Sequence, residues 1–117
     1  MIDWSAPKLQ KALDYAGNTH TVDDVRAAVA LGNMQVWPGK HSVMITEVVQ
    51  YPQVKAVRVF AGYGDLKELR QMEGSAVAWA TSIGCTRLEG FGRVGWGRVL
   101  RDKGYQARVF CWKSIKV

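Results

Sequence analysis

The sequence predicts a single mixed α/β domain, and three observations carry that prediction. Residues 55–61 alternate Val57, Val59 and Ala61 with Arg58 and Phe60, the period of a pleated strand. Gly62-Tyr63-Gly64 follows, a turn able to take backbone conformations closed to other residues. A long helical stretch comes next, with Leu66, Leu69, Met72, Ala76, Val77, Ala80 and Ile83 on one face and Gly84 as its stop. Asp65 is the expected N-cap of that helix, and Glu68 stands three positions on, as in a capping box. A strand, a glycine turn and a helix whose free N–H groups point back at the turn form an anion site.

The other elements are read in chain order. Ser5 before Pro7 marks a helix start, with Leu9, Ala12, Leu13 and Ala16 on one side and Gly17 at the end. Thr21 caps a second helix, with Asp23 and Asp24 in its first turn, where they favour the helix dipole. Val22, Val25, Ala28 and Val29 form its core face, and Gly32 closes it. Residues 34–37 read as a short strand ended by Pro38-Gly39. Residues 42–50, rich in Val, Ile and Thr, form a longer strand broken at Tyr51-Pro52-Gln53. With residues 55–61 these make an antiparallel meander. Residues 85–91 are short and β-like, 92–103 can form a helix ended by Gly104, and 105–117 alternate loosely as terminal strands or a hairpin. The expected order is α-α-β-β-β-α-β-α-β, without internal repeats or linkers.

Composition bounds what such a domain can be. At 117 residues the chain can bury one core but not two, and 48% apolar residues argue against disorder. No run approaches the ~18 apolar residues of a membrane span. The start Met-Ile-Asp-Trp-Ser lacks the basic and apolar regions of a secretion signal, so a cytoplasmic protein with no membrane partner is expected. Cys85 and Cys111 lack CxxC spacing and a histidine-rich neighbourhood, which predicts a reduced pair and no metal site. The net charge of +6 is uneven. Residues 1–84 carry eight basic and eight acidic side chains, whereas residues 85–117 carry eight basic against Glu89 and Asp102. The whole excess lies in the last 33 residues, a basic end able to attract phosphates, nucleic acid or acidic protein surfaces. No recognised nucleic-acid motif accompanies it.

Several stretches resemble the GNAT acetyltransferase family. They are the strand pair 42–50 and 55–61, the turn Gly62-Tyr63-Gly64 with its helix, the segment Ala78-Trp79-Ala80-Thr81-Ser82-Ile83-Gly84-Cys85, and the run from Gly92 to Gly104-Tyr105. Thr46-Glu47, Ala61-Gly62 and Gly92-Arg93-Val94-Gly95-Trp96 resemble in particular the small, divergent GNAT-like proteins of phages and prophages. The resemblance implies a mixed, mostly antiparallel sheet flanked by helices. It also implies acetyl-CoA in a splayed gap between the strands at 55–61 and 85–91. Phe60, Ala61, Gly62, Tyr63, Gly64, Asp65 and Leu66 would then cradle the cofactor and its diphosphate, with Arg93 and Arg98 adding charge. Where the family turn usually begins with Gln or Arg this chain has Val59, and where its last helix often has Tyr it has Leu100.

Acetyl transfer to an amine needs a base near the nucleophile and often an acid for the thiolate. Glu47, mid-strand among Val43, Ile45, Val48 and Val49, is the candidate base, the alternative being a strand-face glutamate paired with Lys or Arg. Tyr105 is the candidate acid, the alternative being packing. Trp37, Trp79, Trp96 and Trp112 read as core or edge packing, and His20 and His41 as loop residues. The expected function is transfer of acetyl to a small amine or protein lysine. The alternatives are an inactive module that binds a host or virion protein, and a nucleic-acid binder. Terminal strands with open edges make a homodimer a further expectation.

Overall fold

The computed structural model describes residues 2–91, 101 and 103–116. Two helices, α1 (Pro7–Tyr15) and α2 (Val22–Ala30), precede three strands, β1 (Met34–Pro38), β2 (Val43–Gln50) and β3 (Lys55–Tyr63). Helix α3 (Leu66–Ser82) then leads to β4 (Arg87–Gly90). The sheet order is β1-β2-β3-β4, antiparallel except for the parallel β3–β4 pair. The first seven elements follow the predicted order.

Strand parity explains the layering. Val43 and Ile45 of β2 face α1 and α2, where Leu9, Leu13 and Val25 complete the larger core. Val48, of opposite parity, belongs with Val57, Leu88 and the α3 residues Trp79 and Ala80 on the other face. Trp37 meets Trp79 edge-on at 5.8 Å. The Trp37 indole N–H donates at 2.9 Å to the hydroxyl of buried Thr46, which donates at 2.9 Å to Gln35. A helix layer thus lies on each face of the sheet.

Helix entries differ in mechanism. Thr21 and Asp24 form a reciprocal capping box at α2, and the Thr21 N–H holds the Asp24 carboxyl below its ordinary range. Ser5 does not cap α1; its hydroxyl and N–H go to Asp3, the N-cap is Ala6, and Pro7 opens the first turn. Asp65 caps α3 by accepting the Lys67 N–H at 2.9 Å. Glu68, however, accepts the His41 N–H at 2.8 Å, tying α3 to the β1–β2 loop instead of closing a capping box. That long-range hydrogen bond competes successfully with the local one. Gly39 makes room for it, since a Cβ there would overlap a Glu68 carboxylate oxygen.

Three further expectations change. Of the predicted apolar face of α3 only Ala76 and Ala80 are fully buried, and Leu66 and Ile83 are exposed. Residues 105–116 form no strand, and Trp112 is 70% exposed rather than packed. The predicted helix at 92–103 lies mostly outside the described residues, as does Trp96. Cys85 and Cys111 are both free. Among the described residues no helix is long and apolar enough to cross a membrane.

Gly64 sits where β3 hands over to α3, at φ +123°, and a Cβ would lie 2.5 Å from backbone atoms of His41 and Ser42. A side chain here is both strained and blocked by main chain, which cannot swing aside as a flexible side chain could. Gly64→Ala should therefore lower stability by at least about 2 kcal/mol in urea unfolding, and Gly64→Arg should not fold normally.

Candidate functional site

The predicted cofactor-binding residues fall at one place, the junction of β3 and α3. Phe60, Ala61, Gly62 and Tyr63 are all in strand, so the expected glycine turn shrinks to Gly64 alone. The strict alternation of β3 also fails at this point. Thr46 pairs with Val59 but Ile45 pairs with Ala61, so Phe60 is the extra residue of a β-bulge. The bulge turns both Phe60 and Ala61 inward, each 7% exposed, and the Phe60 ring meets His20 at 4.6 Å.

The bulge coincides with the end of the parallel pairing. β3 and β4 are in register from Ala56↔Arg87 to Val59↔Gly90, and no further. From residue 60 to 63, β3 has β2 on one side and no strand partner on the other among the described residues. An edge without a strand partner is where an extended ligand can add. Residues 92–100, with Arg93 and Arg98 among them, lie outside the described residues.

The mouth of α3 is less open than the sequence implies. The Asp65 N–H donates at 2.9 Å to the hydroxyl of buried Ser42, and the Lys67 N–H donates to the Asp65 carboxylate. The Glu68 carboxyl is held below its ordinary range by the His41 N–H and then by the Ser42 hydroxyl. Two first-turn donors therefore have partners, and two carboxylates stand beside them. This mouth fits a diphosphate poorly, because the negative charges oppose the helix dipole's attraction for an anion.

Glu47 is part of a charged network on the α1/α2 side of the sheet. Its register partner Arg58 bonds it at 3.3 Å and reaches across to Glu89 on β4 at 2.9 Å. The Tyr51 hydroxyl donates to Glu89 at 2.8 Å and accepts from Arg58 at 3.0 Å. Burial works against the Arg58 charge, but the Glu89 and Tyr51 hydrogen bonds more than offset it, and its pKa is raised. Arg58 also lies over the Phe91 ring, at 5.4 Å.

Glu89 differs from the rest of this network in one respect: its Oε1 is buried and has no hydrogen-bond partner among the described residues. The Arg87 Nε forms an ion pair with this oxygen at 3.6 Å. Glu89 lines a cavity of about 1010 Å³ together with Tyr51, Arg87, Phe91 and Tyr105. Glu47 does not line it, so the two predicted catalytic residues do not meet there; Glu89 takes the place beside Tyr105. The Tyr105 hydroxyl donates to Glu73 of α3, and burial followed by that carboxylate pushes the phenol's pKa well above its ordinary value. Sequence reasoning missed Glu89 because a four-residue strand offers no periodicity. The available signal was that it is one of only two acidic residues in the basic last third.

Comparison with known proteins places this geometry. No protein family profile matches the chain, and no curated protein matches it in sequence. Solved structures do. The wild-type protein TTHA1254 from Thermus thermophilus superposes with a TM-score of 0.59 at 13% identity, over 98% of this chain and 97% of that one. A tetramutant of the BH1408 protein from Bacillus halodurans gives 0.64 at 12% identity, over 92% and 86%. The ribosomal-protein-alanine N-acetyltransferase of Brucella melitensis biovar Abortus 2308 gives 0.54 at 15% identity, over 94% and 91%. At such identities the likeness is one of fold, and the fold of this chain is GNAT-like, a mixed sheet between helices, as in that acetyltransferase.

Proposed function

We propose that the chain is an N-acetyltransferase that moves an acetyl group from acetyl-CoA to an amine. The carrying observation is the buried Oε1 of Glu89, which has no hydrogen bond among the described residues, beside the last pair of β3 and β4. A buried carboxylate oxygen without a donor costs folding energy unless a ligand supplies one. An amine N–H is such a donor. The coenzyme A thioester, when bound, supplies the activated acetyl carbon.

Each side chain then has a defined task. Glu89 accepts the amine N–H, orients the nitrogen and takes its proton. Arg58 and Tyr51 fix the Glu89 carboxylate through Oε2, leaving Oε1 free. Glu47 completes the balance of charge around Arg58 and acts as a positioning residue. Tyr105 remains protonated across the neutral range. With its pKa raised above that of a thiol it is a weak acid toward a thiolate, and it serves as cavity wall. The outward backbone of residues 60–63 receives the pantetheine arm.

One observation favours a second reading, a module of this fold that binds a host or virion protein without catalysis. Asp65 and Glu68 place two carboxylates where a diphosphate is expected. The cofactor discriminates between the two. For the acetyltransferase, acetyl-CoA at 100 times its dissociation constant should stabilise the protein by about 2.7 kcal/mol, read as a rise in Tm. Absence of any rise at millimolar cofactor would favour the binding module.

Substitutions separate the carboxylates. Glu89→Gln should lower turnover by about 100-fold or more and leave the acetyl-CoA-induced Tm rise intact, whereas Glu47→Gln should cost markedly less. Arg58→Met leaves Glu47 and Glu89 facing each other without their shared cation. It should destabilise the fold by about 2–4 kcal/mol in urea unfolding.

A further inference from the structure

The cavity of about 1010 Å³ beside Glu89 is lined on one side by β4 and Phe91 and on the other by residues 103–110. The second wall is anchored at two points. The Tyr105 hydroxyl donates to Glu73 of α3, and the Phe110 ring meets Phe91 at 5.2 Å. Lys103 lies two residues before the first anchor, and Arg108 lies between the two. A space at the upper end of the roughly 300–1,000 Å³ of small-molecule sites takes a body much larger than an amine group alone.

The charges on these walls are unevenly matched. Both carboxylates that line the cavity have partners of their own: Glu73 accepts from Tyr105, and Glu89 accepts from Arg58 and Tyr51 through Oε2. Arg87 stands 3.6 Å from Oε1, too far for a hydrogen bond but close enough to meet its charge. Lys103 and Arg108 line the same cavity, and neither has an ion pair or hydrogen bond among the described residues. The oxygen that lacks a donor thus shares its cavity with three cations. A ligand bearing only positive charge meets like charges there. A ligand that also carries an anion gives Lys103 and Arg108 the counter-charge that the described residues do not supply. Phe91 and Phe110 are 50% and 68% exposed, so their paired rings offer an apolar face to the body of such a ligand.

We propose that this cavity binds amines that also bear a carboxylate or phosphate group, with the amine at Glu89 and the anion at Lys103 and Arg108. The amine's place rests on the acetyl-transfer reading, whereas the anion's place rests on the two unpaired cations. Within that reading polyamines and lysine-rich segments are excluded as acceptors, because each brings further positive charge beside Arg87, Lys103 and Arg108. Arg108 suits either anion, since its planar fork can hold two oxygens at once, while Lys103 acts as a point charge.

The test is calorimetric titration of the protein, with and without coenzyme A, using ligands matched in shape. L-phenylalanine is set against L-phenylalaninamide, and alanylphenylalanine against its amide, so that only the anion is lost. The α-phosphonate analogue of phenylalanine separates a phosphate-type anion from a carboxylate, and spermidine supplies the polycation. At least one acid is expected to bind about 10-fold or more tightly than its amide, and spermidine not at all. Lys103→Gln combined with Arg108→Gln should abolish that preference with unchanged far-UV circular dichroism, since both side chains are exposed and outside helix and strand. Equal binding of acids and amides, no binding of either, tighter binding of spermidine, or a preference that survives the double variant overturns the proposal. Transfer is read separately, as thiol release from acetyl-CoA. Anion-dependent binding without release supports the subsite and overturns the acetyl-transfer reading. Release with spermidine but not with the acids overturns the subsite and leaves that reading standing.

Discussion

Arg58 is the constraint on which the site depends. Its side chain joins Glu47 of β2, Glu89 of β4 and the Tyr51 hydroxyl just past the end of β2. Parallel pairing of a strand as short as β4 is weak by itself, and its four-residue register with β3 needs help from side chains. A guanidinium suits this work because its planar fork holds two carboxylates at fixed angles, where a lysine would offer a single mobile point. By taking up Glu89 Oε2, Arg58 and Tyr51 determine which oxygen of that carboxylate is left facing the cavity.

The bulge at Phe60 is the second device, and it acts together with the first. One extra residue in β3 breaks the alternation, turns Phe60 and Ala61 inward, and occurs one step beyond the last β3–β4 pair. The β3–β4 pair is thus held together at Arg58, and its register among the described residues ends one residue before the bulge. Gly90, whose Cβ would lie 3.1 Å from the Val59 carbonyl oxygen, lets the strands approach closely up to that end. Close approach up to the last pair puts a buried carboxylate oxygen one residue from the end of the pairing.

The helix mouth shows how a local motif changes meaning in tertiary context. Strand, glycine and helix follow one another at residues 55–82 as an anion site requires. Yet Ser42, Asp65 and Glu68 satisfy the first turn from within the chain, and Gly64 is required by its backbone angle and by the approach of His41 and Ser42 rather than by a ligand. Binding of a diphosphate there would have to overcome two carboxylates, which is why the two functional readings divide at this site.

By itself the sequence determined the fold class and the order of the first seven elements. Those features follow from local periodicity, from Thr21 and Asp65 as caps, and from glycine and proline stops, all of which act between residues close in sequence. Only the tertiary structure decided the partners of Glu47, the importance of Glu89 and the fate of Glu68. The partners are separated by 11 residues for Glu47–Arg58, 31 for Arg58–Glu89 and 27 for His41–Glu68. Register and a bulge set those distances. A one-residue slip in either strand would turn Arg58 or Glu89 to the other face, and no pattern within a single strand encodes which register the sheet adopts.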